Sequence, residues 1–405
     1  MVRVSDWGWK QIIGASQLCG WKQTIGTKNK MEESMSAEAI QLEPLQRLKR
    51  DLVVAAKTLS DAEARYLVDL YYQIQGLRIA SQNQTRSVDQ GVSGRPLEEA
   101  DVDPKVTEPH NVLDWFTMNT AMMEAQIKRA LDVYSDQNPV GRWAKSQMGI
   151  GPVLASGLLS VLFPLMKPSA NYPNSFSTAG KIWRFAGLDP TQKWFSREQA
   201  NALVEEEIKA YEASLPKDTL TTTLEFLVPR IALKINRSPE TLRRQALMGP
   251  GKGKKLEKIT KTSLSAAVAI RPWNASLKVL CWKIGESFIK VQSNPNDYYG
   301  KLYAKRKALE QMKNERGDFS ELAKDILARK RFGKDTEAYK HLSSGHLPPA
   351  QIHARARRYA VKMFLSHLHE VMWRVVHNSA PPVPYVIEHM GHRDYLPVPG
   401  WPLVE

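Results

Sequence analysis

Two glycines bracket one apolar residue in Gly149-Ile150-Gly151-Pro152-Val153, and Leu154-Ala155-Ser156-Gly157-Leu158-Leu159 follows at helical spacing. This stretch constrains the chain more than any other, because it must turn tightly between two helices. Glycine accepts a positive φ and carries no side chain that would hold a ligand away from the backbone. Proline suits the first position of the helix that follows, where its missing N–H costs nothing. The free N–H groups at such a helix start face outward and, with the helix dipole, attract phosphate. The pattern reads as the hairpin of a helix-hairpin-helix unit, which grips a nucleic-acid backbone without reading bases. The bland alternative is an ordinary tight turn between two packed helices.

Charge favours the first reading. The chain carries a formal +15, unevenly placed: residues 1–140 have a net charge of −3 and residues 141–405 a net of +18. The positive part begins where the hairpin begins, which suggests a polyanion-binding region joined to a more neutral one. A solvated basic surface without a partner is the alternative.

A length of 405 residues suggests two or three domains, and 42% hydrophobic residues supply ample core. Cys19 and Cys281 lie far apart in unrelated contexts, which excludes a disulfide framework and a cysteine zinc site. No apolar run approaches the ~18–20 residues of a membrane span, and no signal peptide is visible, so a cytoplasmic protein is expected. Residues 1–35, with Gly8-Trp9-Lys10 and Gly20-Trp21-Lys22, read as a poorly ordered leader, with Met31 or Met35 as a sensible start of the folded part.

Helical periodicity dominates from about Leu42. Residues 36–137 form a helical N-terminal region: Leu45, Leu48 and Leu52 mark a first helix. Ser60-Asp61-Ala62-Glu63 opens a second as a capping box, and a third runs from about Asn111 to Ser135. A polar linker of about Ser87 to Pro109 separates the last two. These helices read equally as a dimerisation arm or as a bundle packing on the next domain. Residues 138–194 hold the hairpin and a short helix capped by Ser177 and stopped by Gly187 and Pro190. Residues 271–378 read as basic helices, starting at Arg271-Pro272-Trp273-Asn274, near Tyr298-Tyr299 and at Pro349. Residues 379–405 read as a Pro-rich tail extended over the surface.

Gly149-Ile150-Gly151-Pro152, then Phe176-Ser177-Thr178-Ala179 leading to Gly187-Leu188-Asp189-Pro190, Arg271-Pro272-Trp273-Asn274, and Tyr298-Tyr299 with Lys305-Arg306-Lys307 occur in an order that resembles a known pattern. It is similar to the C-terminal domain of insertion-sequence transposases of the one-ten, one-sixteen and nine-oh-two class. The similarity covers about Gly149–Pro190 and Arg271–Val376, a third to a half of the chain. It implies a mobile-element or phage-borne protein acting on duplex or branched DNA in transposition or recombination. It also implies association into oligomers, and leaves room for a guide RNA and a separate nuclease subunit. The chain departs from the family in two ways. Residues 1–140 show no strand alternation and no four-carboxylate set of a RuvC-like nuclease domain. Where the family carries a Ser-Gly nucleophile, this chain reads Trp194-Phe195-Ser196-Arg197, and Ser196 with Gln199 reads better as a helix N-cap.

Residues 195–270 have no counterpart in that pattern and read as an inserted module. Phe226 to Leu247 looks like a helix-turn-helix, in which Ser238 and Pro239 open a second helix that points Glu240, Thr241, Arg243 and Arg244 outward. A helical hairpin with a capped second helix is the alternative. Lys252, Lys254 and Lys255 follow among glycines as a backbone-contacting linker. Gly249 to Lys255 fails as a phosphate loop, lacking a Ser/Thr after Gly253-Lys254 and a preceding strand. His369-Glu370 fails as a zinc-protease helix because Trp373 stands where the second histidine must be, and His377, His389 and His392 lack carboxylate support. Trp183, Trp194, Trp273 and Trp282 are candidates to stack on unpaired bases, although tryptophan at helical spacing is more often core.

The expectation is a mainly α protein: a helical N-terminal region, a helix-hairpin-helix domain and an inserted helix-turn-helix-like module. It binds DNA through Lys145, Gly149, Ile150, Gly151, Lys181, Arg184, Thr241, Arg243, Arg244, Lys252, Lys254, Lys255, Arg271, Asn274, Lys278, Arg355 and Arg358. No cofactor, metal or catalytic residue is expected. A serine-dependent recombinase acting through Ser196, and a non-catalytic protein that meets RNA or an acidic protein, are the competing classes.

Overall fold

The computed structural model describes residues 54–89, 108–167, 176–191, 194–214, 224–248, 256–383, 388, 391 and 395–403. The leader, the first N-terminal helix before residue 54, most of the acidic linker, Lys252, Lys254, Lys255, His389 and His392 lie outside them.

Among the described residues the secondary structure is entirely helical. After a short 3-10 turn at Ala56–Thr58 come α1 (Asp61–Asp89), α2 (Glu108–Asp136), α3 (Pro139–Ser146), α4 (Pro152–Met166) and α5 (Ala179–Phe185). Then come α6 (Arg197–Glu212), α7 (Leu227–Lys234), α8 (Pro239–Leu247) and α9 (Lys261–Ala269). The chain continues through α10 (Ala275–Val291), α11 (Tyr299–Glu315), α12 (Ser320–Arg329), α13 (Glu337–Ser343) and α14 (Pro349–His377).

The principal core is built around α14, a 29-residue helix buried along most of its length. Ala356 and Ala360 let its neighbours approach closely, and Phe364 enters a ring cluster with Trp143, Phe288 and Tyr299. Helices α3, α4, α5, α10 and α11 all pack against α14. The capping box at Ser60 forms: its hydroxyl receives the Glu63 amide, and the Glu63 carboxylate accepts from the Ser60 N–H at 2.8 Å. Helices α1 and α2 run antiparallel, tied by Tyr134 to Asp61 at 2.6 Å, Arg78 to Glu124 at 2.5 Å and Ser81 to the Leu113 carbonyl. Both lie on α4 within the same core.

Residues 195–269 enclose a second core of their own, made by Val204, Leu227, Ile231, Ile235, Leu242, Leu264 and Val268. Asn236, at φ 54°, makes the turn between α7 and α8, a conformation that asparagine tolerates better than most residues. Arg237 follows it inward, donating to the carbonyls of Ala267, Val268 and Ile270 and so closing the C-terminus of α9. Ser238 does sit at the N-cap of α8, but its hydroxyl binds Glu240 rather than a backbone amide. The N-cap of α5 is likewise Thr178 rather than Ser177, and it makes no side-chain capping bond. A third, small core joins α12, α13 and the start of α14 through Ala323, Leu342, Leu347 and Ile352.

The tail departs from the extended surface segment that its prolines suggest. Tyr395 donates to Glu370 at 2.7 Å, the Leu396 carbonyl accepts from His367, and the Pro399 carbonyl accepts from the Trp143 indole. Val398, Trp401 and Leu403 pack on the principal core. His367 also meets the Tyr299 hydroxyl at 2.8 Å, and His369 the Phe176 carbonyl at 2.9 Å. Burial pushes both imidazoles below their ordinary pKa. They therefore stay neutral in the folded chain at pH values where an unfolded histidine takes up a proton. The unfolded state then binds more protons as the pH falls below about 6.5, and stability falls with it. The melting temperature should drop between about pH 7.5 and about pH 5. His369→Gln, whose amide can still donate to the Phe176 carbonyl, should make that drop shallower; a melting temperature flat across the range would contradict the assignment.

Candidate nucleic-acid interface

The glycine turn closes as its residue types require. Asn138 caps α3 through the Val140 amide, and Pro139 occupies the first position. Gly149 has φ +89°, a conformation that L residues rarely adopt. An added Cβ there would also meet Ser287 Oγ at 3.2 Å and Val291 at 3.3 Å. Ser287 donates to the Gly149 carbonyl at 2.6 Å, which fastens the turn to the C-terminal half of α10. Ile150 is buried and its amide returns to the Gln147 carbonyl at 3.0 Å, so this residue holds the turn and presents nothing outward. Gly151 is exposed, caps α4 with no side chain, and leaves open space where a Cβ would stand. The Val153 and Leu154 amides follow in the first turn of α4, where an α-helix offers no internal acceptor.

The cations expected around this turn divide sharply. Lys145 is not available to a phosphate, because Asp132 at 2.5 Å and Asp136 at 2.7 Å hold its ammonium. Arg184 donates to the Asn236 carbonyl and faces Asp189 at 3.7 Å, pinning the second core to α5. Arg243 is paired with Glu225, and Arg355 with buried Glu310 at 2.6 Å. Asn274 spends its side-chain oxygen on the Leu277 amide as the cap of α10. Lys181 is exposed in the first turn of α5, and Arg244 and Thr241 lie on α8, with Arg244 exposed. The basic residues of α7 are met by α6: Arg230 and Lys234 both reach Glu207.

A group of four cations escapes this pairing. Arg271, Lys278 and Arg358, read from the sequence, are joined by Lys362, and none of the four forms a salt bridge among the described residues. They belong to three segments: the approach to α10, its first turn, and the middle of α14. Burial, then the like charges of Arg271 and Arg358, hold the Lys278 ammonium below its ordinary pKa. Burial, then Arg355 and Arg357, do the same to Arg358, with Glu310 opposing. Lys362 is lowered by burial and by Arg358, against the opposing carboxylate of Asp189. Burial is the largest cause for all three, with like charges adding to it at Lys278 and Arg358, and Asp189 outweighing Arg358 at Lys362.

Tryptophan rings are interleaved with these cations. Lys278 lies 4.0 Å over Trp273, Arg271 5.0 Å over Trp194, Lys362 5.0 Å over Trp183 and Arg357 5.4 Å over Trp282. Trp194 is 44% and Trp282 53% exposed, Trp273 is half-buried, and Trp183, also half-buried, packs on the principal core. Trp183 also donates to the Lys362 carbonyl, and Trp194 to that of Ala269. The patch and the glycine turn occupy different places on α10. Ser287 stands nine residues beyond Lys278, about 13.5 Å along the helix and half a turn around it.

Ser196 is taken up structurally, its hydroxyl accepting from the Gln199 amide at 3.2 Å while the Gln199 side chain returns to the Ser196 N–H. Among the described residues no three His, Cys, Asp or Glu side chains converge as a metal site, and no helix is long and apolar enough to cross a membrane. Cys281 is buried, its thiol pushed up to about 12. No family model matches this chain, and no curated protein or solved structure matches it either.

Gly187 ties the patch together. At φ +66° it ends α5, with the Leu188 amide returning to the Trp183 carbonyl at 2.9 Å, and an added Cβ would stand 2.8 Å from Trp273 Cγ and 3.0 Å from Lys278 Cδ. Gly187→Ala should therefore cost about 1–2 kcal/mol in urea unfolding through the left-handed backbone, before any displacement of Trp273. A variant as stable as the parent would show that this close approach does not set the ring's position.

Proposed function

We propose that this chain is a DNA-binding protein that grips the phosphate backbone without cleaving it. The unpaired cluster of Arg271, Lys278, Arg358 and Lys362 carries this reading. A protein that neutralises most of the cations around its glycine turn internally, yet gathers four at one place without a salt bridge among the described residues, offers positive charge that a polyanion can neutralise. Exposed Gly151, at the N-terminus of α4, supplies a second backbone contact of opposite style, made of the helix dipole rather than charge, although Val153 beside it is buried. The order of motifs that resembles insertion-sequence transposases fits the same substrate and suggests a role in transposition or recombination. A nuclease partner, a guide RNA and self-association belong to that resemblance. The capping role of Ser196 supports a non-catalytic chain, since a nucleophilic serine needs an adjacent base.

The test is a duplex-binding titration over several salt concentrations. Lys278→Glu with Arg358→Glu should weaken binding and shrink the log–log salt slope by about 2, at about 0.9 for each phosphate that is no longer neutralised. Gly151→Glu places a carboxylate at the helix start, where it meets no steric obstacle and suits the dipole, so the fold should hold while phosphate is repelled. Duplex affinity unchanged by both variants would refute the reading.

A further inference from the structure

Charge alone does not explain why three of the four cations of the patch, Arg271, Lys278 and Lys362, are each laid on a tryptophan. Phosphate needs a cation; it has no use for an indole. A duplex has no use for one either, because its base faces are stacked against each other and only edges and backbone are presented. A single strand offers both parts, a phosphate and an unstacked base face at every step, and proteins that hold single strands combine a cationic track with aromatic platforms.

We propose that the tryptophan–cation patch on α10 and α14 is a seat for single-stranded DNA, with Trp282 and Trp194 as the base-stacking platforms. The proposal rests on the DNA-binding reading above and adds the form of the strand. Trp282 lies one helical turn beyond Lys278, on the same side of α10, and Arg357 backs one part of its ring while 53% of the residue stays exposed. Arg357 is itself held by Glu286, so this guanidinium serves to steady the ring rather than to meet phosphate. Trp194 is fixed by its bond to the Ala269 carbonyl, with Arg271 over the ring and 44% of the residue exposed. Val279, 55% exposed, extends the apolar part of the α10 face between Lys278 and Trp282. Trp273 and Trp183, half-buried, support Lys278 and Lys362 from beneath. The unpaired cations Lys278, Arg358 and Lys362 then track the phosphates. The glycine turn, half a turn around α10, adds a further backbone contact for a duplex segment, so a junction between paired and unpaired DNA engages both.

The experiment titrates the full chain with a fluorescent 20-nucleotide oligothymidine and with a 20-base-pair duplex, followed by anisotropy. Trp282→Ala should weaken oligothymidine binding about tenfold and leave duplex affinity unchanged, with Trp282→Phe restoring most of the loss. Trp194→Ala should act in the same direction. Both rings are exposed, so thermal melts should match the parent and exclude unfolding. If Trp282→Ala and Trp194→Ala leave oligothymidine binding intact while Lys278→Glu with Arg358→Glu weakens both probes, the stacking seat is wrong and the backbone reading stands. If the parent binds neither probe at low salt, the DNA reading itself fails.

Discussion

The buried length of α14 is the constraint on which the rest depends. Phe364 lies parallel to the Trp143 indole at 5.8 Å and edge-on to Phe288 and Tyr299, so one side chain joins α3, α10 and α11 to the central helix. Large aromatic side chains bury far more area than any polar contact here, and a void at their meeting point is expensive. The same helix positions both parts of the candidate interface. Its middle turns raise Arg358 and Lys362 beside the first turn of α10, and Trp143 anchors α3, whose end leads directly into the glycine turn. Tyr395, Leu396 and Pro399 of the carboxyl-terminal segment bond to this core, so the described part of a proline-rich run packs against it rather than standing free.

Much of this is legible from residue order. Helix starts and stops with local chemistry read well: the capping box at Ser60, the N-cap at Ser196, the start of α10 after Asn274, the Gly187 stop and the glycine turn at 149–151, whereas Asn274 itself, read as a DNA contact, is spent as the cap of α10. Each depends on a few neighbouring residues, and the structure uses them locally. Helices α12 and α13 do not announce themselves, because their apolar faces are small and only Ala323 and Leu342 are buried on them. The inward turn of Arg237 is equally invisible, since its acceptors lie thirty residues away. The tail escapes a sequence reading for the same reason: its partners, Trp143, His367 and Glu370, are remote along the chain.

Pairing explains the unequal fate of the expected cations. Sequence composition counts charges, but a cation's availability depends on which carboxylates the fold brings to it. Lys145 meets Asp132 and Asp136 from the preceding helix, Arg355 meets Glu310 across α11, and the run Glu205-Glu206-Glu207 on α6 absorbs Arg230, Lys234 and Lys261. Where α10 and α14 meet, Arg271, Lys278, Arg358 and Lys362 gather without a salt bridge among the described residues, and the acid that faces Lys362 there is Asp189, itself shared with Arg184.

That gathering of cations bears on the tryptophans. An indole laid against a lysine or arginine attracts it through the ring's negative face and offsets part of the cost of keeping like charges close, so part of each pair's value is internal. Internal value alone would favour burying the ring, as the fold does with Trp143, which is fully enclosed and spends its N–H on Pro399. Trp282 and Trp194 are instead left about half in solvent, where an exposed indole loses hydrophobic free energy that a buried one gains. A contact partner that supplies both negative charge and a flat apolar face recovers that loss and neutralises those cations together. Nucleotides outside a double helix have both properties in one chain.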